Sequence, residues 1–126
     1  MKRACFIGRY SPPHNGHVAL WKSVDKPVLI LVRDTDEEHS AQDRVDMIKQ
    51  IFEDENMDGH TMIVPDISDV FYGRGVGYNV KTVSMPDHIE GISATEIRRR
   101  IADKDISWKQ LVPKAVAKFI DSQDQI

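Results

Sequence analysis

Two histidines, an arginine and two glycines are gathered in one short stretch, Gly8-Arg9-Tyr10-Ser11-Pro12-Pro13-His14-Asn15-Gly16-His17. These residue types suit a phosphate. His14 and His17 stand at i, i+3 spacing, so on a helix they share a face. Arg9 adds a charge-assisted donor, and Gly16 lets a phosphate come close to the backbone. A second stretch, Gly91-Ile92-Ser93-Ala94-Thr95-Glu96-Ile97-Arg98-Arg99-Arg100, offers a matching end. Ser93 and Glu96 form an S-x-x-E capping box that specifies a helix start. Ser93, Thr95 and the free N–H groups there can donate to a phosphate oxygen, and Arg98 can reach back over them. Arg99 and Arg100 point elsewhere, to solvent or to an acid such as Asp103. Each stretch alone also has a plain reading, as a rigid Pro-Pro turn before a capped helix and as a capped basic surface helix. Nothing resembles a covalent nucleophile, since Cys5 lies in an apolar run that reads as core and no serine is paired with a histidine and an acid. Donors and positive charge aimed at phosphates suit direct nucleotidyl transfer, in which a phosphate oxygen attacks an α-phosphorus in line and pyrophosphate leaves.

The elements that must position these residues follow from the apolar pattern. Ala4-Cys5-Phe6-Ile7 closes a first strand that begins at Lys2. A short helix from His14 or Asn15 to about Val24 carries Val18, Leu20 and Trp21. Val28-Leu29-Ile30-Leu31-Val32 is an unbroken apolar run, the pattern of a strand covered on both faces. Arg33 to Ser40 is an acidic, solvated loop. Ala41 to Glu55 is the clearest helix, with Val45, Ile48, Ile51 and Phe52 on one stripe and Ser40 as its N-cap. Thr61 to Val64 is a third strand ended by Pro65. Val70-Phe71-Tyr72 reads as a short fourth strand leading into Gly73-Arg74-Gly75-Val76-Gly77, and Asn79 to Val83 alternates as a last strand. Helices follow over Ser93–Ala102 and Ser107 to about Ser122, the latter with Leu111, Val112, Val116, Phe119 and Ile120 on its apolar side. This alternation predicts an α/β fold, a Rossmann-like doubly wound parallel sheet of about five strands flanked by helices. In such a sheet, ligands sit at the carboxyl ends of the strands, which is where both motifs fall. Gly73 and Gly75, after the fourth strand, would let a base or ribose approach the backbone, although G-x-G-x-G is equally the pattern of a simple turn.

The composition bounds the function. The chain has 126 residues, 40% hydrophobic and 29% charged, with a formal net charge of -3. That length predicts a single domain over residues 1–126. The charge gives no support to bulk attraction to nucleic acid or an anionic membrane. The single cysteine excludes an intramolecular disulfide. No apolar run approaches the roughly 18 residues of a membrane span, and the apolar run after Met1-Lys2-Arg3 is too short for a signal peptide. The expectation is a cytoplasmic protein.

The two motifs together resemble a known family. His14-Asn15-Gly16-His17 resembles the HxGH signature of the nucleotidyltransferase superfamily, and Ile92-Ser93-Ala94-Thr95-Glu96-Ile97-Arg98 resembles its ISxTxIR signature. GRYSPPHNGH is most similar to the form found in nicotinamide-mononucleotide adenylyltransferases. Trp108-Lys109-Gln110-Leu111-Val112-Pro113-Lys114-Ala115-Val116 resembles the closing W-x-x-L-V-P-x-x-V of their archaeal type, and Ser40-Ala41-Gln42-Asp43-Arg44 is similar to their T-A-G-E-R. The resemblance covers most of the chain and implies transfer of AMP from ATP to nicotinamide mononucleotide, giving NAD and pyrophosphate. It implies catalytic roles for His14, His17, Arg9 and Arg98. It places Gly8, Tyr10, Gly16, Arg44, Ser93 and Thr95 around the nucleotide, to which the glycine-rich turn adds Gly73 and Gly75 by the residue reading above. It implies Mg²⁺ carried mainly by substrate phosphates, with no dedicated metal ligands. Relatives in this superfamily often form oligomers, but no feature of the sequence shows an interface. The chain departs from the archaeal type between its third and last strands. A longer segment there contacts the nicotinamide nucleotide, whereas this chain is cut down, with Asp66 and Tyr72 as candidate replacements.

Two other readings compete. Glu90-Gly91-Ile92-Ser93-Ala94-Thr95 resembles the R-T-x-G-I-S-T-T of small cytidylyltransferases, which use CTP and a phosphorylated alcohol, although His88-Ile89 stands where that family has Arg-Thr. A non-catalytic nucleotide-binding module would keep the fold, but here both histidines and the arginines are present. A class I aminoacyl-tRNA synthetase fragment also begins with an HxGH-like corner, and the ISATEIR helix and small size argue against it. The sequence reading also expects His17→Ala to abolish transfer and leave the fold intact.

Overall fold

The computed structural model describes residues 2–75 and 77–123. Three strands, β1 (Ala4–Gly8), β2 (Val28–Arg33) and β3 (Gly59–Val64), form a parallel sheet in the order β1-β2-β3. The register aligns Phe6 with Ile30 and Ile30 with Thr61, and Gly8 with Val32 and Val32 with Ile63. All three strands therefore end at one edge. Helix α1 (Asn15–Lys22) connects β1 to β2, and α2 (Ala41–Asp54) connects β2 to β3. These are the crossovers that a parallel pairing requires.

One face of the sheet holds the core. Val28, Ile30 and Val32 point into it and meet Val18 and Trp21 of α1 and Val45, Ile48, Ile51 and Phe52 of α2. The predicted stripe of α2 is thus the buried one, and Ser40 caps the helix by accepting the Asp43 N–H at 3.0 Å. A fully buried aliphatic side chain such as Ile48 stabilises the fold by about 1.5–3 kcal/mol. Helix α5 (Lys114–Gln123) lies on α2 and adds Val116 and Ile120 to the core.

The predicted last helix is two pieces, a 3-10 helix at Ile106–Leu111 and then α5. Pro113 has no N–H to donate back and pushes the residue before it towards extended backbone, and Val112 has φ -126 and ψ 155. Helix α4 (Ala94–Ala102) packs against the 3-10 helix. A single turn that the sequence reading did not anticipate, α3 (Asp87–Glu90), sits against α1.

The expected five strands are three. The described residues of 65–85 form no strand, and β1 pairs only with β2. Val70, Phe71, Tyr72, Tyr78 and Val80 all stand exposed, Phe71 at 89%. The apolar triplet is too short to hold a ladder by itself, and the glycines that follow it weaken the extended state. A strand also needs a covering layer to bury its apolar positions, and this connection supplies no helix.

The second face of the sheet is correspondingly open. The row Ile7, Leu31, Met62 crosses it, with Ile7 40% and Met62 45% exposed. Cys5, expected in the core, is exposed in the neighbouring row. The unbroken apolar run of β2 is therefore buried fully on one face only. Among the described residues no helix is long and apolar enough to cross a membrane.

Trypsin should cut first within 65–85, after Arg74 or Lys81, because a cleavable segment must leave its neighbours at little cost. Mass spectrometry of a limited digest checks this. Primary cuts in α2 would contradict the fold described.

Candidate active site

The carboxyl edge of β1 runs into the first motif. Residue His14 is the N-cap of α1, with φ -139 and ψ 176. Its Nδ1 accepts the N–H of Gly16 at 3.0 Å and that of His17 at 3.3 Å. The Nδ1 of His17 in turn accepts the N–H of His14 at 3.0 Å. This is a reciprocal capping box built from two imidazoles in place of a hydroxyl and a carboxylate. The rings stack with centroids 3.6 Å apart and 16° between their planes.

An Nδ1 that accepts an N–H carries no proton, so each neutral ring holds its proton on Nε2. Among the described residues no acceptor takes either Nε2–H, and no buried side-chain nitrogen or oxygen lacks a partner. The two Nε2–H groups therefore reach solvent. Burial lowers the His14 pKa to about 4. Burial, and then the charge of His14, lowers that of His17 to about 3. At neutral pH the corner presents two uncharged donors beside the positive end of a helix.

The glycines serve the corner's own side chains. A Cβ on Gly16 would lie 2.8 Å from Cε1 of the His14 ring, so this glycine makes room for the capping imidazole. A Cβ on Gly8 would lie 3.0 Å from Cζ of Tyr10. Tyr10, expected to line the nucleotide, is 5% exposed and lies beneath the corner. Burial pushes its phenol well above the usual range, so it stays neutral.

Arg44 also departs from expectation. Instead of meeting a phosphate it is fully buried. Its Nε donates to His39 O at 3.0 Å, Nη2 to Thr35 O at 3.0 Å, and Nη1 to Arg33 O at 3.1 Å and to Arg9 O. The guanidinium is thus spent on four carbonyls and braces the sheet edge. Arg9 differs. Its side chain is exposed, and no described residue forms a hydrogen bond or ion pair with it, which leaves its charge free for a ligand.

The second motif comes to the first through Arg98. Its Nη1 donates to Ser11 O across 87 residues of sequence, and its Nη2 to Thr95 Oγ1 at 3.2 Å. Ser93 caps α4 by accepting the Glu96 N–H at 3.0 Å. The return half of the predicted capping box is not made, because the Glu96 carboxylate accepts from Arg99 and Arg100. Arg99 also pairs with Asp103 at 2.9 Å, as expected. His14, His17, Arg9, Gly8, Gly16 and Arg98 therefore meet at one edge, with Ser93 and Thr95 at the adjoining helix start.

Gly73 and Gly75 lie in the exposed connection. No atom stands within 4 Å of a Cβ built on either, and only the left-handed φ of 73° at Gly75 asks for glycine. Of the candidate replacements, Asp66 is paired with Arg33 at 2.7 Å and Tyr72 is exposed.

Sequence reasoning missed Glu37 by treating its acidic run as a solvated loop. Partial burial pushes the Glu37 carboxyl up, but the nearby Ser11 and Thr35 hydroxyls and the charges of Arg9 and Arg44 outweigh it and carry the pKa below the usual range. The available signal was position alone, since this loop leaves the carboxyl end of β2.

Paired histidine donors at a helix start, joined by an arginine to a second helix start at a parallel sheet edge, are the arrangement that the resemblance to the HxGH nucleotidyltransferases implies. The comparisons point to the same resemblance. The chain is similar to the nicotinamide-nucleotide adenylyltransferase of Methanolobus tindarius, 29% identical over 160 aligned positions that cover 100% of this chain and 91% of the relative. The enzymes of the same name from Thermococcus onnurineus and Ignicoccus hospitalis are each 28% identical, over 94% of this chain and 82% and 90% of their own lengths. No family model and no solved structure matches the chain. The resemblance read from the motifs is borne out, including the shortening, since 126 residues are spread over 160 aligned positions.

The histidine caps carry a pH dependence. Unfolded, each imidazole takes a proton near pH 6.5, whereas folded His14 and His17 do so only near 4 and 3. The unfolded chain binds more protons across that window. Stability is therefore fully present above about pH 6.5 and falls as pH drops, by up to about 1.4 kcal/mol per pH unit for each ring. Urea melts at pH 7.5, 5.5 and 4.5 should show the decline. The double variant His14→Asn/His17→Asn should lose much of it, and an equal slope in that variant would refute the assignment.

Proposed function

We propose that this protein is an adenylyltransferase that joins ATP and nicotinamide mononucleotide into NAD. The observation that carries the reading is the pair of outward Nε2–H donors at the α1 start, on the turn that also carries the exposed Arg9, and the curated relatives carry this activity in their names. A phosphate oxygen of the mononucleotide attacks the α-phosphorus of ATP. The new P–O bond forms as the bond to the β-phosphate oxygen breaks, and pyrophosphate leaves with that electron pair. A phosphate monoester is already an anionic nucleophile at neutral pH, so no general base is required of the chain. What the chain contributes is position and electrostatic stabilisation.

In this reading His14 and His17 donate from Nε2 to oxygens of the α- and β-phosphates. Because they are neutral, they give directional hydrogen bonds, and Arg9 supplies the charge. Arg98 keeps the α4 start against the corner, so that Ser93, Thr95 and its free N–H groups can receive the outer phosphates. Among the described residues no three His, Cys, Asp or Glu side chains form a metal cage. Mg²⁺ held mainly by the phosphates fits such a corner, where it would neutralise their charge.

His17→Ala is a less clean probe than the sequence reading expected, because it removes a cap as well as a donor. An asparagine at either position keeps a side-chain oxygen for the cap and loses Nε2–H. Pyrophosphate release should appear with Mg²⁺, ATP and nicotinamide mononucleotide, with NAD formed in equal amount. His14→Asn and His17→Asn should each lower kcat by about 10²–10³-fold, with melting temperatures close to the parent. Turnover with CTP and glycerol 3-phosphate instead would move the protein to the cytidylyltransferase reading. Unchanged kcat in both variants would end the proposed mechanism.

A further inference from the structure

Tyr10 has no part in the chemistry above, yet the corner is arranged around its ring. The planes of His14, His17 and Trp21 are nearly parallel, with 16° between the histidines and 15° between His17 and Trp21. Tyr10 stands across them, edge-on to His17 at 4.7 Å and 74° and to Trp21 at 5.6 Å and 66°. Trp21 is in turn set edge-on against Phe52 of α2 at 6.0 Å. The tyrosine ring thus closes the side of His17 and rests on a wall rooted in the core.

The backbone holds the ring there at a cost. Tyr10 has φ 53, a left-handed conformation that non-glycine residues adopt rarely. The carbonyl before it, Arg9 O, accepts from buried Arg44, and the carbonyl after it, Ser11 O, accepts from Arg98. The ring also lies over Gly8, where a Cβ would be 3.0, 3.1 and 3.3 Å from three of its atoms. A strained residue clamped on both sides and given space by a glycine points to a requirement for its side chain.

We propose that Tyr10 is a positioning residue for the histidine pair, its ring keeping His17, and through stacking His14, in the orientation that turns Nδ1 to the helix cap and Nε2–H outward. Without that wall, His17 can turn about its Cβ–Cγ bond, which puts Cδ2 where Nδ1 stood and Cε1 where Nε2 stood, and an Nδ1 that no longer accepts the His14 N–H is free to take the proton. The cap is then lost in a fraction of molecules and the donor is misdirected. The inference deepens the adenylyl-transfer reading and rests on it for its kinetic consequence, but the orientation itself can be read without turnover.

The test uses three variants of the full chain. Tyr10→Phe keeps the ring. Tyr10→Asn removes the ring and substitutes a residue that tolerates the left-handed backbone. Gly8→Ala keeps Tyr10 and crowds its ring. Two-bond proton–nitrogen NMR correlations of the imidazoles report which nitrogen carries the proton. The parent and Tyr10→Phe should show both rings protonated on Nε2, with kcat within about twofold of each other. Tyr10→Asn and Gly8→Ala should show a mixed state for His17. Their kcat should fall by about tenfold or more, as misplaced catalytic groups do, with a smaller change in KM for ATP.

Pure Nε2–H spectra in Tyr10→Asn, with kcat retained, would overturn the proposal. Should Tyr10→Asn fail to fold, Gly8→Ala decides by the same two readings. Should the parent transfer no adenylyl group, the adenylyl-transfer reading fails, and the spectra alone decide the positioning role.

Discussion

A buried guanidinium organises the carboxyl edge of this sheet. Arg44 is fully enclosed, and a buried charge is tolerated only when it is hydrogen-bonded. Its partners are carbonyls from separate pieces of chain, namely Arg9 after β1, Arg33 at the end of β2, and Thr35 and His39 in the loop before α2. One planar group with fixed donor directions therefore sets the relation of two strand ends and a loop. The turn from β1 into α1 inherits its position from that brace, and Arg98 holds the same turn from the other side at Ser11. The charge that a sequence reader assigns to a ligand is here consumed in building the place where a ligand would bind.

The histidines divide their labour between two nitrogens. Each Nδ1 satisfies backbone N–H groups that a helix start leaves unpaired, and this leaves each Nε2–H free. Structure and chemistry are coupled through one tautomer, since a proton on Nδ1 would meet a backbone N–H head-on. That coupling explains why the rings are kept neutral and stacked in a poorly solvated spot. It also explains Gly16, whose missing side chain is the space occupied by the His14 ring.

The site is assembled on a minimal frame. Three parallel strands and the helices on one face suffice to hold the corner, while the opposite face keeps Ile7 and Met62 partly in solvent. The curated relatives align over more positions than this chain has residues. The described connection from β3 to α3 leaves its aromatic residues exposed. Trp108, Val112 and Val116 of the closing stretch are buried in the core, and the 3-10 helix that carries Trp108 packs against α4.

Local pattern was enough for much of this. The apolar stripe of α2, the Ser40 and Ser93 caps, the three strands of the sheet and the starts of α1 and α4 were legible, because each depends on residues a few positions apart. Periodicity and capping are short-range physics, and they survive without knowledge of what lies opposite. The sequence could not say that residues 70–72 and 79–83 would find no ladder, because a strand exists only with a neighbour. It could not separate Arg9 from Arg44, because an arginine facing solvent and one facing four carbonyls are the same letter. It placed Tyr10 beside the nucleotide, where the tertiary structure buries the ring beneath the corner, and it did not foresee that Glu37, in its solvated loop, would stand near Arg9 and Arg44. Burial, hydrogen-bond partners and pKa belong to the three-dimensional environment of a group, and that environment is made by residues far away in the chain.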